Sequence, residues 1–448
     1  MNKIIIVSVL CAFSLQASDS INTWFEDGKA HGNIRYYYIN TAKETGATQT
    51  SQHANSVGGQ LGYTTGSLYG LKIGATFMTT NPFATPSNPA NVDTSILGRD
   101  NGVRVNGNTN ASNADDGFSV LGEAYAQYAQ DSYNIWYGRK IIETPLIDAK
   151  DVRMLPSTVQ GAMGTATFEN GIEVSAGYID RFKQRTSNVF TNIIEHALGA
   201  NTRAITGDDG GYIVPISLGW KNRDVSTHIY DYYAPDFMNS VYADVMVKNR
   251  LDNDWSCSAS MQGIMQDSIG NANSAAAKAI MGGEINAKAI GAKVSLTHQE
   301  TTLIVAYSNV ASSSGKHDSL VLPWDGTPLF TNTITSNDLF ISNYGKGLTS
   351  DTAYIGGTTG IKLGVAQKFD FTGVKGFKAV LEYAHYNNSI FPKAQEDINA
   401  VIGYTKDKFS LDFKGIWVKE NSSASANGSV ISQNDKLTQY RIIANYKF

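Results

Sequence analysis

The segment Gln439-Tyr440-Arg441-Ile442-Ile443-Ala444-Asn445-Tyr446-Lys447-Phe448 alternates apolar and polar residues and closes on an aromatic. Side chains in a strand point alternately to its two faces. Phe448, Tyr446, Ala444, Ile442 and Tyr440 therefore share one face, and Lys447, Asn445 and Arg441 share the other. Such a strand, with nothing after it to cover its apolar side, fits a wall between lipid and water.

The other end of the chain suggests how the strand reaches a membrane. Met1-Asn2-Lys3 carries one positive charge and Ile4 to Leu15 is a short, almost wholly apolar run, the layout of a secretory signal peptide. Cleavage is expected after Ala17, although Leu15 stands where a small residue is usual. The run of about 12 residues is too short for a membrane anchor, which needs roughly 20. Leu10 before Cys11 speaks against a lipoprotein. Residues 1–17 are thus read as a signal and 18–448 as one outer-membrane domain.

Composition narrows the class further. Charged residues make up 17% of the chain, below the roughly 25% of a soluble domain, yet no later segment approaches a transmembrane helix in length. Glycine (42) and tyrosine (23) are abundant and proline (10) is scarce, which suits many strands, tight turns and aromatic belts. The net charge of −4, one unit more negative without Lys3, points to no nucleic acid, and nothing basic is clustered. Loss of Cys11 with the signal leaves Cys257 alone, so no intrachain disulfide can form. Cys257 reads as a small side chain on a strand, without the basic neighbours that activate a thiol.

Strand-like segments of about ten residues recur from Gly32 onward, joined alternately by very short and by longer polar connections. Tight turns fall at 65–67, 130–132, 169–171, 221–224, 251–253, 298–300 and 406–408. Longer connections cover 81–116, 184–211 and 311–351, with shorter ones at 268–278 and 420–434. Strands are expected near 32–40, 54–65, 67–79, 117–129, 132–140, 160–169, 172–183, 212–221, 225–234, 238–249, 254–266, 281–297, 301–310, 353–369, 376–387, 395–405, 408–419 and 436–448. That is about 18, an even number, as a single-chain bacterial barrel requires. Only Ser18 to His31 precede the first, which leaves no room for a plug domain.

Facing can be read in several of these strands. From Phe409 to Trp417 the odd positions are apolar and the even ones mostly polar; Phe377, Ala379, Leu381 and Tyr383 oppose Lys378 and Glu382; Ile34, Tyr36 and Tyr38 alternate with Asn33, Arg35 and Tyr37. A charge on the lipid side costs roughly 2–4 kcal/mol at the midplane, so the charged face is assigned to the lumen. A soluble sandwich shows the same alternation with its apolar face inward. The leader, the terminal Phe448 and the turn-and-loop asymmetry favour an all-β, transmembrane antiparallel up-and-down barrel.

Three segments resemble the OprD-like outer-membrane porins. Trp24-Phe25-Glu26-Asp27-Gly28, with Asn33-Ile34-Arg35-Tyr36-Tyr37-Tyr38-Ile39-Asn40, is similar to the family's acidic lead-in and first strand. Trp136, Thr144-Pro145-Leu146, Arg153-Met154-Leu155-Pro156-Ser157 and Phe168-Glu169-Asn170-Gly171-Ile172-Glu173 resemble its constriction loop and the hairpin after it. Tyr230-Asp231-Tyr232-Tyr233 is similar to an acidic, tyrosine-rich strand. The resemblance implies 18 strands and a third extracellular loop, Ile141 to Val159, folded inward, with Glu143, Asp148, Lys150, Asp151 and Arg153 at the constriction. Family members that select carboxylates use a line of basic residues on the barrel wall. Here the wall charges placed in the lumen are Arg35, Lys378, Lys414 and Arg441, interspersed with Asp231, Glu382 and Asp412, a sparser and mixed set. The resemblance also makes Phe448 the signal read by the barrel-assembly machinery.

No enzyme is expected. The histidines are scattered without HExxH spacing, no Gly-x-Ser-x-Gly stands out, and Ser314-Gly315-Lys316-His317 lacks the residues of a phosphate loop. No cofactor and no metal site are expected. The expected function is a water-filled channel for passive diffusion of small polar solutes and ions, selected by charge at the loop. Expected partners are outer-membrane lipid and lipopolysaccharide and the assembly machinery, with the chain a monomer or homotrimer. The competing readings are a non-conducting barrel that serves as an adhesin or anchor, and a secreted soluble β-rich protein.

Overall fold

The computed structural model describes residues 21–86, 88–98, 117–252, 254–333, 348, 352–389, 393–426 and 429–448. The expected leader lies outside the described residues, as do parts of the connections at 81–116 and 311–351.

The strands are β1 (Lys29–Thr45), β2 (Thr48–Thr64), β3 (Leu71–Pro82), β4 (Phe118–Gln130), β5 (Tyr133–Lys140), β6 (Thr158–Thr167), β7 (Ile172–Lys183), β8 (Thr191–Asn192), β9 (Val214–Lys221) and β10 (Val225–Ala234). They continue as β11 (Met238–Arg250), β12 (Trp255–Ser268), β13 (Asn286–His298), β14 (Thr301–Val310), β15 (Thr358–Lys368), β16 (Phe377–Asn388), β17 (Lys393–Lys406), β18 (Phe409–Ala426) and β19 (Ser429–Lys447). Each pairs antiparallel with the next, except that β7 pairs with β9 and leaves the two-residue β8 as an extra strand on β7. The ring of 18 closes where β1 pairs with β19, from Asn33 opposite Lys447 to Glu44 opposite Lys436. Gly32 and Phe448 exchange backbone hydrogen bonds of 3.3 and 3.1 Å, so the terminal residue is the last rung of the seam. Closure removes the free strand edges that an open sheet would expose.

Ile34, Leu61, Phe77, Ile135, Leu218, Met261, Val305, Leu363 and Phe413 lie exposed on the outer face, while Arg35, Lys362, Glu382 and Arg441 are buried on the inner one. An apolar exterior and a charged interior are what lipid outside and water inside require. No helix among the described residues is long and apolar enough to cross a membrane.

One rim carries only short connections, at 65–70, 131–132, 168–171, 222–224, 251–254, 299–300, 369–376 and 407–408. The long connections leave the other rim and carry their own secondary structure: α2 (Ile193–Leu198) and α3 (Thr202–Thr206) between β8 and β9, and α4 (Ala275–Met281) between β12 and β13; α1 (Ile21–Glu26) precedes β1. Their apolar side chains pack with strand ends into cores over the barrel, one joining Ile147, Phe182, Ile193, Phe237, Met281 and Trp324.

Two stretches differ from the sequence reading, which ends the first strand at 40, begins the second at 54 and puts a connection at 420–434: β1 instead runs on to Thr45 and β2 starts at Thr48, while β18 runs on to Ala426 and β19 starts at Ser429. The first run is rich in Thr and the second in Ser and Asn. A ladder of backbone hydrogen bonds continues there without the apolar alternation that lipid imposes, so the period of two disappears while the strand does not.

Candidate functional site

The site is built around residues 141–157, which join β5 to β6. At its base the Ile141 N–H donates to Glu123 Oε1 at 3.1 Å, and Lys140 Nζ donates to Gln127 Oε1 at 2.6 Å while lying over the Tyr125 ring. The Thr144 hydroxyl donates to the Ile147 carbonyl at 2.8 Å, which tightens the turn around Pro145-Leu146. The Leu146 N–H then donates to Tyr232 Oη on β10 at 3.4 Å.

The second half of the segment reaches β1. Arg35 Nη1 and Nη2 donate to the two carboxylate oxygens of Asp151 at 2.6 and 2.9 Å, and Nη1 also donates to the Arg153 carbonyl at 2.6 Å and the Met154 carbonyl at 3.2 Å. The Tyr37 hydroxyl donates to the Val152 carbonyl at 3.0 Å. Between β1 and β10 stand β2–β7 and β9 on one side of the ring and β11–β19 on the other. One short segment thus touches two nearly opposite walls.

Charge concentrates on the β1 side. Lys414 and Arg441 are direct partners across β18 and β19, and Arg153, Lys414 and Arg441 lie close enough to Tyr37 for their charges to act on its hydroxyl. Arg35, Arg153 and Arg441 are 7%, 4% and 0% exposed. The structure so gathers four of the basic residues read from the sequence around one tyrosine. Nearer the short-turn rim, the Lys378 and Asp412 side chains converge over Gly403, where a Cβ would meet Asp412 Oδ1 at 2.4 Å and Lys378 Cε at 2.6 Å. Glu382 accepts a bond from Lys362 Nζ at 3.3 Å, and Lys362 also donates to the Asn332 carbonyl at 2.6 Å.

Within the segment, Glu143 is exposed and Lys150 is buried with φ of 43°, and Glu143 bridges to Asp148 through the backbone. Burial raises the Asp148 pKa, opposed by the N–H groups of Lys150 and Ala149 and reinforced by the negative charges of Glu143 and Asp325.

Asp231 corrects the sequence reading. The sequence places it in the lumen with the other charges, but it shares the outward face of β10 with the exposed Ile229 and Tyr233, between Ile216 and Val241 on the neighbouring strands. Tyr230 and Tyr232 point inward instead, Tyr232 fully buried beneath Leu146. In Tyr230-Asp231-Tyr232-Tyr233 neither face is clearly apolar, so the rule that charges face the lumen had no alternation to lean on.

Several inner-face residues escaped the sequence reading: Glu123, Lys140, Lys293 with its ammonium 4.6 Å from the Phe330 ring centroid, and His228, whose Nδ1 lies 2.9 Å from Asp244 Oδ1. Lys140, Lys293 and His228 sit on strands whose period of two could have placed them, whereas Glu123 follows a bulge at Gly122 that reverses the parity of β4. Asp325 sits in an irregular connection and had no such signal. No group of three or more His, Cys, Asp or Glu among the described residues is arranged to hold a metal ion.

The sequence profile described as outer membrane porin, OprD family, matches residues 22–344. No curated protein sequence matches the chain. Solved structures share the fold at low identity. OccK9 (OpdG) of Pseudomonas aeruginosa superposes with a TM-score of 0.72 at 17% identity, covering 95% of this chain and 100% of that one. OpdK of the same organism, solved with vanillate, gives 0.69 at 15%, covering 95% and 99%. OccAB1 of Acinetobacter baumannii gives 0.71 at 14%, covering 95% and 98%.

Proposed function

Because the chain belongs to the OprD family of outer-membrane porins, we propose that its barrel is a passive, water-filled channel in which residues 141–157 fold inward, narrow the lumen and select small polar solutes by charge. The observation that carries this is the pair of anchors at nearly opposite walls, Leu146 on Tyr232 of β10 and Asp151 to Met154 on Arg35 of β1. A segment held at both places spans the ring; Glu143 and Asp151 stand exposed on it, while the buried Lys150 and Arg153 act on a passing solute only through their field.

Arg35, Arg153, Lys414 and Arg441 stand together there, with Asp151 paired to Arg35 and Asp412 near enough for its charge to act on Lys414. A focused positive field raises the local concentration of anions, so the solutes favoured carry a carboxylate or another anionic group. Vanillate, found in one relative, is of that chemical class. Glu143, Asp148 and Lys150 complete the charge pattern of the loop, and Lys378, Glu382 and Asp412 that of the wall. Diffusion down a gradient makes and breaks no bond, so the function is transport rather than catalysis.

Residues 1–17 act as the export signal in this reading, and Phe448 is the terminal aromatic that the assembly machinery reads. The apolar exterior meets lipid and lipopolysaccharide, and the chain works as a monomer or homotrimer. Planar bilayers containing the purified protein test the channel. Stepwise conductance supports it, whereas heat-modifiable barrels that insert without passing current would return the chain to a non-conducting anchor.

A further inference from the structure

We infer that Asp325, in the connection between β14 and β15, is the positioning residue that holds the 145–157 part of the β5–β6 segment in place. Its carboxylate joins three connections. Oδ1 accepts from Arg185 Nη1 at 3.0 Å, at the start of the connection after β7. Oδ2 accepts from the Ser157 hydroxyl at 2.6 Å, at the end of the β5–β6 segment. Lys183, fully buried at the end of β7, donates to the carbonyl of Pro156, next to Ser157, at 3.0 Å, so the end of the segment is clamped from two sides.

The backbone around Asp325 repeats the junction. Asp325 and Ile147 form an antiparallel bridge, and the Asp148 N–H donates to the Trp324 carbonyl at 3.1 Å. Gly326 lies so close that an added Cβ would fall 2.5 Å from Leu146 Cα, a contact no side chain tolerates. Trp324 is fully buried, with its indole N–H on the Ile193 carbonyl at 2.9 Å. The strip is itself fastened to the barrel: Gln262 bonds to Pro328 and Phe330, Gln266 to Val321, and Tyr386 to the Thr331 carbonyl. Asp325 has φ of 63°, a conformation that Asp and Asn tolerate better than most residues. A rigid strip bonded to β12 and β16 therefore holds both Leu146-Ile147-Asp148 and Ser157 through neighbouring residues. Asp325 touches no solute in this arrangement and acts through the position of the segment.

The inference rests on the reading of 141–157 as a constriction only for its effect on transport, and the test separates the two. Asp325→Asn keeps the size and backbone tolerance of the residue but removes its charge; Ser157→Ala removes one partner and leaves Asp325 intact. Folding of each variant is verified by heat-modifiable migration. Spin labels at Val152 and Asp131, in a Cys257→Ser background, report the distance from the segment to the short-turn rim. Exchange of the Asp148 amide, which donates to the Trp324 carbonyl, reports the bridge. Both variants are expected to show a second distance population and exchange accelerated by about 10- to 100-fold, as the loss of charge-assisted or buried bonds implies. A single unchanged distance and unchanged exchange in folded Asp325→Asn overturn the inference. If the segment is released and single-channel conductance stays the same, Asp325 is the anchor but the segment does not narrow the pore.

Discussion

Replacing Arg35 with methionine should release the β1 end of the 141–157 segment, and the structure sets the size of the effect. The guanidinium makes four contacts to the segment, two to Asp151 and one each to the carbonyls of Arg153 and Met154, and a fifth from Nε to Asn445 Oδ1 on β19 at 3.4 Å. The Asp151 side chain is 40% exposed, so solvent screens that ion pair to about 1 kcal/mol. A bond from a charged donor to a buried carbonyl contributes about 1.5–3 kcal/mol, which the short contact with Arg153 should approach and the longer one with Met154 should not. The docked segment then loses about 3 kcal/mol, roughly a hundredfold in its docking equilibrium. Arg35→Lys keeps the charge without the two-pronged geometry and should fall between. A double-mutant cycle with Asp151→Asn should isolate a coupling of about 1 kcal/mol. Amide exchange from Val152 to Leu155 and open-channel current noise are the readouts, both expected to rise. Wild-type exchange and wild-type noise in folded Arg35→Met would refute the claim that Arg35 holds the segment.

Asp231→Asn should leave ion preference unchanged, because the residue faces outward, and should raise the unfolding free energy from urea titration by at most about 1 kcal/mol, the scale near a membrane interface; a shifted reversal potential would place Asp231 in the lumen after all. Glu284 accepts hydrogen bonds from Lys278 at 2.6 Å and from Lys316, and these hold its carboxyl down at about 2. With the folded value below the unfolded one of about 4.3, the clasp between α4 and the connection after β14 is complete above that pH and is lost as pH falls through about 2. The ratio of pepsin nicking near Gly315 at pH 2 to that at pH 4 should therefore be larger in the wild type than in Glu284→Gln, the variant correcting for the pH dependence of pepsin itself; equal ratios would dissolve the clasp. Removing Phe448 breaks the last rung to Gly32 and should lower the yield of heat-modifiable barrel without changing the conductance of barrels that do insert, a result that normal yield would contradict.

The strands of the barrel were readable wherever lipid forces a choice of face. From Phe409 to Trp417 and from Tyr440 to Phe448 the outward positions are apolar because hydrocarbon penalises anything else, and the structure keeps those faces. Beyond the membrane the penalty ends, and the signal ends with it: Thr41 to His53 forms strands with no alternation to announce them. Asp231 shows the same loss of signal at a strand end, where tyrosines on both faces hide the register. The basic residues Arg35, Lys414 and Arg441 could be placed on one face by parity alone. That Arg153 joins them depends on a segment folding back over more than a hundred residues of sequence separation, which no local period encodes. Asp325 is further from reach still, since its partners Ser157 and Arg185 lie 168 and 140 residues away.

The reversal potential of single channels in a salt gradient, measured for the wild type and for Arg153→Gln, probes the account at its centre. A charged segment across the lumen, facing Lys414 and Arg441, predicts a wild-type potential of anion-favouring sign that moves toward cations in Arg153→Gln. A potential that is the same in both proteins would remove the 141–157 segment from the path of the ions.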